Sequence, residues 1–240
     1  MKRVGLIALM VAGWIPPFVA PAQSNISATA AALADLTKPA KKIPFKDVIL
    51  ATTQHRVLDF DTNNPAHVAL HKKLTAAAQA AAEQAKTAGL FAARANEAGN
   101  HMEEFVRAAM KEARLNARVP VTTTGDAQVV GYPDIEITSE PACYVELKTY
   151  NATTANTTQR SFYYSPSERP KVTHDALHLL IAYQLERVER NGQTAFIPVH
   201  WKLITLENLE VDLKFEFNQS NRALYGKDAA PAVLGEGGTK

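Results

Sequence analysis

Cysteine is nearly absent from this chain: Cys143 stands alone among 240 residues. That excludes an intrachain disulfide framework. The strand-like, apolar run around Cys143 makes it a small buried hydrophobe. Charge of one sign is also lacking. Formal net charge is +2, and the 26 basic residues less Lys2 and Arg3 equal the 24 acidic ones. Global basicity therefore points to no nucleic-acid partner, and any such partner needs a local basic patch. No internal repeat and no long polar tract is present, and 46% hydrophobic with 21% charged residues is ordinary globular composition. The sustained apolar run, Val4 to Ala20, is short for a membrane span and is interrupted by Pro16-Pro17. Lys2-Arg3 before it and Ala20-Pro21-Ala22 after it predict a secretory signal peptide cut after Ala22, with a retained anchor as the alternative. The expectation is a periplasmic or secreted protein with no stable membrane association after cleavage. No lipid-accepting cysteine lies near the cut.

What is present divides into four stretches: residues 1–22 as signal, 23–98 as an arm and Ala-rich helical region, 99–226 as a core, and 227–240 as a loose tail. The Ala-rich "HVALHKKLTAAAQAAAEQAKTAGLFAARANEA" predicts one long helix or a helical hairpin broken near Gly89. Gly99-Asn100 is expected to stop it and start "HMEEFVRAAMKEARLNA". In that second helix Met102, Phe105, Val106, Ala109, Met110 and Ala113 share a face. Glu103 borders this face, while Glu104 points nearly opposite, with Arg107 and Lys111. After Pro120, "AQVVGYPDIEI" and "ACYVELKTY" read as strands joined by the turn "TSEP". "VTHDALHLLIAYQLERVE" predicts an amphipathic helix, "TAFIPVHWKLITL" a buried strand, and "VDLKFEF" a strand with one wet face. The fold class expected is α/β, with helices packed on a sheet.

The chemistry concentrates between Gly131 and Asn151. Asp134 ends one strand, and Glu146 and Lys148 lie two apart on the next, so these last two share a face. A charged i, i+2 pair inside an apolar strand is costly without a compensating cation or partner. Carboxylate oxygens are the ligands a hard divalent cation takes, and a lysine beside it can orient water and stabilise charge on a phosphate. Leu147 points the other way, and its carbonyl lies between the two charged side chains.

On these residues the chain resembles the PD-(D/E)xK nuclease superfamily of restriction-endonuclease-like proteins. Pro133-Asp134 matches the first half of the motif and Glu146-Leu147-Lys148 the second. The resemblance covers Gly99 to about Tyr225 and leaves the Ala-rich region unaccounted for. It implies a central mixed β-sheet flanked by helices. It also implies Mg²⁺, with Mn²⁺ able to substitute, held by Asp134, Glu146 and the carbonyl of Leu147, with Lys148 near the attacking water. Glu103 would be an additional acid from the preceding helix, completing or tuning the site.

Implied activity is hydrolysis of DNA phosphodiester bonds by an endonuclease, with no soluble organic cofactor; a homodimer is left open. In the loop that follows, Arg160, Arg169 and Lys171 could contact phosphates and Tyr163 and Tyr164 could stack, or the tyrosines could tuck against the sheet. Asn221 and Arg222 suit DNA contact, or a turn capping a helix. Two other readings stand beside the nuclease. One is a non-catalytic nucleic-acid-binding protein of the same fold. The other is a zinc hydrolase using His174 and His178, which a helix would bring onto one face at i, i+4.

Overall fold

A computed structural model describes residues 38, 40–158, 161–216, 218–226 and 237. The signal segment 1–22, Arg160, Phe217 and all of the tail from Lys227 except Gly237 lie outside the described residues. Among the described residues, no helix is long and apolar enough to cross a membrane.

The chain begins with β1 (Ala40–Pro44), α1 (Phe45–Thr53) and β2 (Val57–Leu58). Helix α2 (Pro65–Ala88) follows. Its start is set by Asn64, whose side chain accepts from the Ala66 N–H, and by Pro65 in the first turn, where a missing N–H costs nothing. It stops at Gly89, whose φ of 77° suits a residue without Cβ. Leu70, Leu74, Ala77, Ala78, Ala81 and Ala85 form its buried stripe. After β3 (Leu90–Phe91) comes α3 (Ala95–Glu112). The expected break at Gly99-Asn100 is thus corrected: both residues are inside α3. Gly99 serves packing, because a Cβ there would lie 2.9 Å from Thr149 Oγ1 on the neighbouring strand.

Strands β4 (Ala117–Arg118), β5 (Ile135–Ile137) and β6 (Cys143–Tyr150) lead to β7 (Ala176–Arg190) and β8 (Gln193–Thr205). The last pieces are β9 (Glu210–Leu213) and α4 (Asn221–Tyr225). The main sheet runs β3-β8-β7-β6-β5-β4, with β2 also beside β7, while β1 and β9 pair separately. β6 and β7 are parallel and most other pairs antiparallel, so this is a mixed sheet in an α/β protein.

The helix expected over 172–189 is instead the central strand β7. Leu177, Leu179, Ile181, Tyr183 and Leu185 pack into a core with α2 and α3. Ala176, Leu180 and Ala182 pack on the other face with Phe45 and Ile49 of α1 and with Tyr132 and Tyr144. A strand covered on both faces is apolar at successive positions, so alternation vanishes and its composition mimics a helix. The hairpin closing β7 onto β8 carries Asn191 and Gly192, both at positive φ (51° and 75°), the type I′ arrangement that Asn-Gly favours. β8, expected to be buried, is only partly so, its later residues alternating between half-buried and exposed. "VDLKFEF" and "AQVVGYPDIEI" each yield just three strand residues, 211–213 and 135–137, the residues before Ile135 forming a loop.

Glu136 on β5 is 1% exposed and accepts two hydrogen bonds from Arg118 of the adjacent β4, at 2.9 and 3.0 Å. Removing the guanidinium strands a buried carboxylate. Arg118→Ala is therefore expected to destabilise the fold by about 2 kcal/mol, less than for a fully buried pair because Arg118 is half exposed. Urea unfolding measures it, and an unchanged midpoint refutes it.

Candidate active site

The site forms where β5 is too short to cover β6. Register pairs Ile135 with Val145 and Ile137 with Cys143, so β6 continues past its neighbour from Glu146 onward. Asp134, immediately before β5, fills the gap with its side chain: Oδ2 accepts from the Leu147 N–H at 2.7 Å. N–H and C=O of one strand residue face the same edge, so the Leu147 carbonyl faces this gap as well. Continuing the register by two residues sets Pro133 against Leu147, and proline has no N–H to offer that carbonyl. A carboxylate and an oxygen acceptor are thereby turned to one edge.

Glu146 and Lys148 share the sheet face opposite Leu147, which packs with the α2–α3 core. Glu146 is 3% exposed. Its Oε1 accepts from the Lys148 ammonium, while Oε2 is buried without a hydrogen-bond partner. Burial pushes the Glu146 carboxyl up to about 7, the neighbouring Asp134 charge adds to this, and Lys148 and Lys171 oppose it. Asp134 is likewise raised by burial, against the Leu147 N–H and Lys148. Two acids with raised affinity for protons, one carrying an orphaned oxygen, are two acids short of positive charge.

A cavity of about 540 Å³ opens here, lined by Glu103, Asp134, Leu147 and Lys148 and walled by Gly99, Asn100 and Thr149. Among the described residues no three His, Cys, Asp or Glu side chains gather into a metal-binding group. Two carboxylates and a carbonyl suit a hydrated hard cation such as Mg²⁺, which keeps several waters and takes few protein ligands. Glu103 reaches the cavity, but its Oε1 accepts from Arg107 Nε at 2.9 Å and Nη2 at 2.5 Å. Arg107 Nη2 also donates to the Asp134 carbonyl at 2.7 Å. Placing Arg107 with Glu104 on the far side is thus corrected: it ties α3 to the strand end that carries Asp134. The i, i+4 spacing of Glu103 and Arg107 was the available signal.

Other expected contacts fall differently. Lys171 does not face a substrate: it is 3% exposed and its ammonium donates to the carbonyls of Gly131 and Val129. A buried cation lacking water takes carbonyls instead, and it braces the loop leading to Asp134. Tyr164 is also inward, its hydroxyl 2.6 Å from Thr52 Oγ1 and its ring edge-on to Phe45 and Tyr132. Tyr163 and Arg169 are exposed. Asn221 and Arg222 are exposed in α4, which Ser220 caps by accepting from Ala223 N–H.

The helix that would have brought His174 and His178 together does not exist. His178 Nδ1 lies 2.6 Å from the Tyr132 hydroxyl, and His174 Nδ1 lies 3.1 Å from that of Tyr144. Burial lowers His178 to about 3, so its imidazole is neutral in the core.

Comparison with known proteins gives one family: the model described as the Type II restriction enzyme MjaV family matches residues 38–228. The type II restriction enzyme MjaV of Methanocaldococcus jannaschii is 31% identical over 213 residues, covering 82% of this chain and 90% of that protein.

Proposed function

The chain belongs to the MjaV family of type II restriction enzymes, and from that premise we propose that it is a metal-dependent endonuclease hydrolysing DNA phosphodiester bonds. Pro133-Asp134 and Glu146-Leu147-Lys148 serve as its PD-(D/E)xK motif on a restriction-endonuclease-like sheet. One observation carries the reading. Asp134 and Glu146 meet at the uncovered edge of β6, and the buried Glu146 Oε2 has no partner beside Lys148.

Asp134, Glu146 and the Leu147 carbonyl would hold Mg²⁺, or Mn²⁺ in its place. Such a cation, when bound, neutralises phosphate oxygen charge and lowers the pKa of water. The residues themselves contribute the rest. Lys148, fixed on the same strand face as Glu146, orients the attacking water and stabilises charge developing on the phosphate. Arg107 holds the Asp134 main chain and occupies Glu103, which tunes the site's charge from α3. Lys171 keeps the approach loop Val129–Gly131 in place, so Asp134 is presented at a set position.

Plasmid DNA incubated with purified protein tests this. With Mg²⁺ the expected result is discrete fragments; with a chelator, intact plasmid. DNA binding without nicking under Mg²⁺ or Mn²⁺ would sink the catalytic reading and leave a non-catalytic binding protein.

A further inference from the structure

A second groove adjoins the site on the other side of Lys148. It measures about 530 Å³ and lies between the sheet face and residues 154–157 and 161–163. Among the described residues its charged lining residues are Lys148 and Lys202 and none is a carboxylate; Glu146, which accepts from the Lys148 ammonium, lies one row away. Thr154, Thr157 and Ser161 and the aromatic Tyr150, Phe162 and Tyr163 line much of the wall.

Strand register explains this composition. Lys148 of β6 pairs with Ala182 of β7, and Ala182 pairs with Lys202 of β8. The three form one row across the sheet, and residues of one row point to one face. One row towards the core lie Glu146, Leu180 and Ile204, and one row outward lie Tyr150, Gln184 and His200. Ala182 is small, so two lysines stand two strands apart, about 10 Å at the backbone, with a shallow floor between them. Lys202 and His200 are exposed. The acidic cavity and the cationic groove thus share Lys148 as their common wall.

We propose that this groove receives the phosphodiester backbone of the cleaved strand beside the scissile bond, and that Lys202 is its phosphate-contacting residue. The inference rests on the endonuclease reading above. The charges decide the occupant: Lys202 is an exposed ammonium, Lys148 is a second one paired with Glu146, and no acid is among the described lining residues, which favours a polyanion, while the aromatic rings can take an adjoining base. Ten ångströms corresponds to roughly three base-pair steps of rise along a duplex axis, more than the spacing of neighbouring phosphates on one strand. Lys202 would thus hold a flanking phosphate while Lys148 serves the scissile one.

The test compares wild type, Lys202→Gln and Lys202→Arg. Binding of a linear DNA fragment is measured without divalent metal over a range of salt, and plasmid cleavage with Mg²⁺ is measured in parallel. Lys202→Gln is expected to weaken binding about tenfold and to make the slope of log affinity against log salt shallower by about one. At saturating plasmid its cleavage rate should stay within about threefold of wild type, and Lys202→Arg should restore the slope. An exposed position makes misfolding a minor concern, and equal thermal midpoints establish it. Unchanged affinity and slope in Lys202→Gln, with cleavage intact, overturn the groove and leave the endonuclease reading standing. Wild type that binds DNA without cutting overturns the endonuclease reading, while the salt slope still judges Lys202. Absence of both DNA binding and cleavage by wild type overturns both, and cleavage without metal-free binding overturns the groove alone.

Discussion

Glu146→Gln is expected to abolish DNA cleavage, by about 10³-fold or more, and at the same time to stabilise the metal-free protein at neutral and alkaline pH. Both effects come from one buried carboxylate with an oxygen that nothing in the fold satisfies. Its folded-state pKa is raised to about 7 from an ordinary 4.5, chiefly by burial and then by Asp134. The sign follows from proton uptake. Above the folded value the carboxylate is charged in both states and folding carries its full desolvation cost. As pH falls through the folded value the native state takes the proton first, so stability rises. The gain is complete below the unfolded value. Metal-free wild type should therefore become more stable between about pH 7 and 4.5 than its other groups dictate. Glutamine removes that slope and contributes roughly 1–3 kcal/mol at pH 8. Urea midpoints against pH in a chelator, beside plasmid assays with Mg²⁺, measure both effects. A glutamine variant that cuts DNA, or that is no more stable at pH 8, contradicts the role given to this carboxylate.

Lys148→Ala should separate chemistry from metal binding. Cleavage is expected to fall by about 10²–10⁴-fold, with cation affinity retained or tightened, because the ammonium on Glu146 Oε1 is a positive charge competing for the same acid. Arginine should not rescue it, since a planar guanidinium cannot occupy the position of a compact ammonium. Calorimetric titration with Mn²⁺ alongside plasmid cleavage distinguishes the cases. Loss of cation binding in Lys148→Ala would make the lysine structural, and full activity would remove it from the mechanism. Together the two variants discriminate a ligand from a group acting on water and phosphate: the glutamine variant loses both properties, the alanine variant only one.

Much of this site is legible because it is local. Asp134, Glu146 and Lys148 belong to one hairpin, and period-2 geometry puts the last two on one face whatever surrounds them. The helix bearing Glu103 is equally plain from its apolar spacing. Lys171 was not legible: flanked by Pro170 and Val172 in a polar loop, it has the sequence appearance of a surface cation, and only folding puts carbonyls of Val129 and Gly131 over it. Helical angle alone places Arg107 away from the apolar stripe. The Asp134 carbonyl that draws it back lies just before β5, 27 residues later.

The sequence by itself determined the hairpin, its three charged residues and the Ala-rich helix, since each follows from spacing or propensity within a few residues; of the two stops it offered, Gly89 and Gly99-Asn100, the structure takes Gly89. Tertiary structure decided that residues 176–190 are a strand. Neighbours on both edges satisfy its backbone and helices on both faces erase its alternation, so the strand is defined by what packs on it. That single decision aligns Lys202 with Lys148 across Ala182, a relation between residues 54 positions apart that no local pattern contains.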